Sequence, residues 1–256
     1  MIVSDDHKLV FVHIPKCAGV SVKAPLRAID STQGYYSRIG DHPDLGRIHF
    51  AHIVLRDLAT FFPDDFTKLR SYHAFAVVRD PRARFLSAVF QRLREFKGVP
   101  QSGITADRIE EEAGEIISVL EGSPDRLDLE FVHFNRQVDY LEFAGERLVD
   151  EIFAIERMPA LVRFVSDRTG IEVSEERENR STELRHAGLR PFIRALRQPY
   201  AMLVPHKARM RIRGAMVARG LYGDVDKKAL IRPGGRTDGF IRNFYAKDFE
   251  VHAAAL

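Results

Sequence analysis

The apolar positions of this chain come in short blocks whose period changes along the sequence. Leu9 to Ile14 is a largely apolar run, mostly β-branched or aromatic, and reads as a buried strand. Pro15 ends it, because proline has no N–H to offer a neighbouring strand. From Val20 the spacing turns helical, with Val20, Ala24 and Ile29 near one face and Leu26 beside it. Residues 31–47 lack periodicity and read as a loop, and Arg47 to Val54 as a short strand and turn. Leu55 to Phe62 is a short amphipathic helix that Pro63-Asp64-Asp65 breaks.

Tyr72 to Val78 is a second clear strand. It runs into Arg79-Asp80-Pro81, where Asp80 suits a helix N-cap and Pro81 the first helical position. Phe85, Leu86, Val89, Phe90, Leu93 and Phe96 then form a core face, with Arg84, Ser87, Gln91 and Arg94 opposite. Gly98 and Pro100 close the helix. Asp107 to Glu121 reads as an acidic helix whose charges are solvated. Glu151 to Ile155 is a third strand, and Pro159 to Thr169 a helix stopped by Gly170. Beyond it, 175–188 reads as a charged loop, 189–197 and 207–219 as helices, 231–239 as a flexible loop and 240–253 as a closing helix. Three strands alternating with helices predict an α/β sandwich with a central parallel sheet, a mostly helical second half and one domain over 1–256.

Composition narrows the classes. With 256 residues, 45% hydrophobic and 29% charged, the chain can bury a full core. A net charge of +3 suits an anionic ligand and is too small to argue for nucleic acid. The single cysteine, Cys17, allows no internal disulfide, which fits a reducing compartment. The expected location is cytoplasmic, with no membrane-spanning run and no signal peptide at the first residues, and peripheral membrane contact open.

The chemistry sits at the strand ends. In Pro15-Lys16-Cys17-Ala18-Gly19-Val20-Ser21 small residues lead into a helix start, where N–H groups and the helix dipole favour an anion. Lys16 adds charge and Ser21 a hydroxyl. The order differs from the G-x-x-x-x-G-K-[ST] nucleotide loop, since Lys16 precedes Gly19. Arg79 ends the second strand, and Ser87 lies in the second turn of the next helix. In a parallel sheet ligands bind at the carboxyl ends of strands, so the two loops predict one anion cleft.

Ile14 to Ser21 together with Arg79-Asp80-Pro81-x-x-Arg84-x-x-Ser87 resembles the paired signature of sulfotransferases that use 3′-phosphoadenosine 5′-phosphosulfate, nearest the carbohydrate-type branch and its bacterial relatives. The resemblance implies a three-layer, P-loop NTPase-like sulfotransferase fold. It implies that Pro15, Lys16, Cys17, Ala18, Gly19, Val20 and Ser21 hold the 5′-phosphosulfate, while Arg79 and Ser87 hold the 3′-phosphate. Arg180, Ser181 and Thr182 would form a further donor loop. Looser likenesses lie at His133-x-x-x-Gln137-x-x-Tyr140-Leu141, Ile155-Glu156, Asn179-x-Ser181 and Tyr245 to Phe249. One departure is Val20, where the family usually has threonine.

The implied reaction moves a sulfuryl group in line to a hydroxyl of a glycan, glycolipid or similar acceptor. Lys16 would offset charge on the leaving phosphate, and His52 would take the hydroxyl proton, with His49 the alternate. No metal is implied. Two other readings stay open: a nucleotide-dependent small-molecule kinase, and a non-catalytic nucleotide-binding adaptor. The basic stretch with Lys207, Arg209, Arg211, Arg213 and Arg219 reads as a solvated helix face, with contact to an acidic glycan or a membrane surface as the alternative.

Overall fold

A computed structural model describes residues 1–100, 103–171 and 230–256, and the backbone of 182–184 and 222–224. The chain divides into two compact units, Met1–Glu176 with Lys227–Leu256, and Arg177–Asp226. In chain order the elements are β1 (Ile2–Ser4), β2 (Leu9–Val12), α1 (Gly19–Leu26), β3 (Ile39–His42), β4 (Gly46–His49), α2 (Leu55–Phe61) and α3 (Pro63–Ser71). There follow β5 (His73–Val78), α4 (Pro81–Glu95), α5 (Ala106–Glu121), β6 (Glu142–Phe143), β7 (Glu146–Arg147), β8 (Glu151–Ala154) and α6 (Met158–Thr169). Last come β9 (Thr182–Leu184), β10 (Tyr222–Asp224), α7 (Arg236–Phe244) and α8 (Ala246–Ala255).

The first unit is mixed α/β around a mostly parallel sheet of order β1-β2-β5-β8. β2 pairs with β5 in parallel from Leu9↔His73 to Val12↔Ala76. β5 pairs with β8 in parallel from Phe75↔Glu151 to Val78↔Ala154. Covered on both faces, these strands are the near-continuous apolar runs seen in the sequence. The register sets the carboxyl ends of β2 and β5 side by side, so the loops that follow leave the sheet as neighbours. Of the second unit, β9 and β10 form an antiparallel pair from Leu184↔Tyr222 to Thr182↔Asp224.

Two cores hold the first unit. One joins the sheet to residues such as Val22, Leu26, Leu55, Leu69, Leu161 and Val165. The other packs Phe85, Val89 and Leu93 of α4 on Ile109 and Ile116 of α5 and on Ile241 and Tyr245.

Several expectations change. β1 pairs antiparallel at the sheet edge; three residues are too few for a period to show. The stretch 31–47 contains most of a hairpin, β3–β4. Pro63 breaks α2 and also starts α3, where its missing N–H costs nothing. Val20 is 56% exposed, because α1 turns Val22 and Leu26 inward instead. Phe96, past the end of α4, is exposed, and Arg84 on the expected polar face is buried. Glu112 of the acidic α5 is buried against Arg92, and Glu115 and Glu130 join the same guanidinium. The flexible loop ends at Gly235, since Arg236 opens α7, and the closing helix is two helices meeting at Tyr245. The helices expected at 189–197 and 207–219 lie outside the described residues.

Candidate functional site

The turn after β2 is built from two non-glycine residues in the left-handed region, Lys16 at φ 67° and Ala18 at φ 57°. Such alternation turns successive N–H groups toward one side and costs of order 1–3 kcal/mol per residue, so the surroundings must hold it. Ala18 caps α1 through its carbonyl, which accepts the N–H groups of Ser21 and Val22. The earlier first-turn N–H groups have no intrahelical partner by the geometry of a helix. Gly19 is required at its position: a Cβ there would lie 2.0 Å from the His13 ring. Cys17 is buried, and burial pushes its thiol up to about 12.

The second loop meets the first directly. A guanidinium N–H of Arg79 donates to the Lys16 carbonyl at 3.3 Å. The ammonium of Lys16 donates to Gln91 Oε1 at 2.8 Å, and the Gln91 amide donates on to Glu95. Asp80 caps α4 by accepting the Ala83 N–H at 2.9 Å. Ser87 is half-buried on the same helix, one turn before Gln91. The structure thus brings together Pro15 to Ser21 and Arg79, with Gln91 beside them. Arg180 and Ser181 lie outside the described residues, and Thr182 is described only as backbone of β9.

Behind the first loop lies a group of histidines. Ring centroids are 4.9 Å apart for His13 and His52, 4.1 Å for His49 and His52, and 4.9 Å for His52 and His133. Burial lowers the pKa of each: His49 to about 4, His133 to about 3, and His13 and His52 well below the usual value. Neighbouring cations add to this, Lys16 acting on His133. All four rings are therefore neutral near pH 7. Their hydrogen bonding separates two of them. His49 Nδ1 accepts the Ala51 N–H at 3.3 Å, which fixes the proton on Nε2. Among the described residues, the buried Nδ1 of His52 has no hydrogen-bond partner. Among the described residues, no group of three or more His, Cys, Asp or Glu side chains is arranged to hold a metal ion.

His49 and His52 also line a cleft of about 500 Å³ with Arg47, Asn135, Arg136 and the segment Ser123–Leu129. Lys16, Arg79 and Ser87 are not part of its lining. The histidines therefore stand between the turn after β2 and this cleft.

Two residues that matter to this geometry carried no role in the motif reading. Gln137 is fully buried, and its amide bonds both main-chain groups of Arg79. Asp248 accepts the N–H groups of Gln137 and Val138 at 2.8 and 3.0 Å. Burial raises its carboxyl pKa, while Arg84 at 3.9 Å opposes that shift. The only sequence signal for either was the loose likeness of their surrounding blocks to sulfotransferases.

Residues 1–142 match the Sulfotransferase family. No curated protein and no solved structure matches the chain. The match spans more than half of the sequence, and the chain belongs to the sulfotransferase family, whose reaction is sulfuryl transfer.

Proposed function

We propose that this sulfotransferase takes its sulfuryl group from 3′-phosphoadenosine 5′-phosphosulfate and passes it to a hydroxyl of a glycan, glycolipid or similar acceptor, with the whole chain serving as one catalytic domain. The observation that carries the reading is the contact of the Arg79 guanidinium with the Lys16 carbonyl, which sets two cationic strand-end loops side by side. A nucleotide charged at both its 5′ and 3′ ends has the shape to bridge such loops. Backbone N–H groups of Lys16 to Val20 face the phosphosulfate with the hydroxyl of Ser21, whose own N–H is taken by the Ala18 carbonyl, and Arg79 with Ser87 takes the 3′-phosphate. The Arg180-Ser181-Thr182 segment is a further donor contact in this proposal.

The acceptor oxygen attacks sulfur as the bond from sulfur to the bridging oxygen breaks. Lys16 leaves Gln91 to offset the charge that collects on that oxygen. His52 takes the hydroxyl proton. Burial keeps its ring unprotonated beforehand, and the anionic donor raises its proton affinity once bound. His49, protonated on Nε2, donates a hydrogen bond rather than accepting a proton. The cleft lined by both rings is the acceptor's entrance. No metal takes part.

The test is transfer of labelled sulfate from the donor across a panel of neutral and acidic glycans, glycolipids and small alcohols. It is paired with calorimetric titration of adenosine 3′,5′-bisphosphate. Wild-type protein binds the bisphosphate, Arg79→Ala binds it about tenfold or more weakly, and Lys16→Ala binds it but turns over slowly. Bisphosphate affinity unchanged in Arg79→Ala overturns the assignment of that residue; ATP turnover that needs magnesium would favour the kinase reading instead.

A further inference from the structure

We propose that Gln137 is a positioning residue that clasps the two donor loops to one another and sets the distance between the two ends of the bound nucleotide. The proposal rests on the donor reading above. The Gln137 side chain makes the pair of bonds that a strand residue would make: Oε1 accepts the Arg79 N–H at 2.9 Å and Nε2 donates to the Arg79 carbonyl at 2.9 Å. Arg79 offers one donor and one acceptor there, so the amide has a single orientation. The same Oε1 accepts the thiol of Cys17 at 3.2 Å. One buried amide therefore touches both loops, the turn after β2 through Cys17 and the end of β5 through Arg79.

The clasp is itself anchored. Asp248 at the start of α8 holds the Gln137 and Val138 N–H groups from a position 111 residues away in sequence. Arg84 donates to the carbonyls of His133 and Asn135, and Tyr245 donates to that of Phe134. These contacts pin the segment 133–138 from α4 and from the α7–α8 junction. Gln137 is 0% exposed, so water cannot replace any of its bonds. None of its atoms needs to meet the nucleotide. Its effect is preorganisation: a ligand gripped at two ends gains most when the two grips are already at the right separation.

The experiment compares two ligands on wild-type protein and on Gln137→Met, which keeps the side-chain volume and removes all three bonds. Adenosine 3′,5′-bisphosphate spans both loops, whereas adenosine 5′-monophosphate engages the Lys16 turn only. The clasp predicts that Gln137→Met loses about tenfold or more in affinity for the bisphosphate and changes by less than about twofold for the monophosphate. Equal losses for both ligands, or no loss for the bisphosphate, overturn it. Should wild-type protein bind neither nucleotide, the donor reading itself falls. Amide hydrogen exchange on wild-type protein serves where Gln137→Met does not fold. Peptides covering 13–22 and 77–84 then open with the same free energy, since the Gln137 amide ties them beside the Arg79–Lys16 contact, and unequal protection overturns the clasp.

Discussion

At the scale of the residue, the two histidines beside the cleft differ in what their rings are free to do. The Ala51 N–H occupies Nδ1 of His49 and commits that ring to donating from Nε2. Among the described residues, none commits Nδ1 of His52 in that way. General-base assistance is typically worth 10²–10⁴ in rate. His52→Ala is therefore expected to lower kcat by about a hundredfold or more. His49→Gln keeps an N–H near the place of Nε2 and is expected to lose less than about tenfold. Steady-state kinetics at saturating donor checks both, and the reverse ranking assigns the base to His49. Charge at Lys16 is read the same way. Lys16→Ala loses kcat far more than donor affinity, because its ammonium is needed most where charge develops.

At the scale of the element, the turn after β2 works as one piece with the strand before it. Gly19 and the His13 ring fill one space, and a methyl group at residue 19 has nowhere to go. Gly19→Ala is expected to lower the melting temperature and weaken bisphosphate binding. Adding His13→Ala removes the ring and restores part of both losses. A thermal-melt and titration cycle over the four proteins measures the coupling, and simple additivity would disprove it. Much of this element was legible beforehand. Pro15 after an apolar run, and Asp80-Pro81 after another, mark strand ends by local chemistry, and both loops stand where those signals put them. Less was legible wherever a residue takes its role from a distant partner. Arg84 has the spacing of a surface position, yet it is buried because the 133–135 carbonyls and the Tyr245 ring receive it. Gln137 and Asp248 are ordinary polar residues until two remote segments meet. Glu112 looks like one more solvated acid until Arg92 is seen buried beside it.

At the scale of the whole molecule, the stability of the fold is coupled to acid through the four histidines behind the turn after β2. In the folded state His49 and His133 titrate near 4 and 3, and His13 and His52 are shifted the same way, against an ordinary value of 6.5. The unfolded chain then binds more protons than the folded one in the window below pH 6.5 and above those lowered values. Stability is complete above pH 6.5 and falls as pH drops through that window. Urea midpoints at pH 7.5, 6 and 5 should decline in that order, and His52→Ala should flatten the decline. A flat wild-type profile would remove the histidines from the balance.

Cys17 makes the same region observable without any engineered label. It is the chain's one sulfhydryl, sealed beneath the turn that carries Lys16 and poorly ionised where it sits. A chromogenic disulfide reagent can reach it only in molecules whose turn has lifted, so the colour-forming rate counts those excursions directly. A nucleotide bridging the neighbouring strand ends should slow that rate in proportion to its occupancy. The protein thus supplies a spectrophotometric gauge of saturation that needs neither a sulfated product nor knowledge of the acceptor.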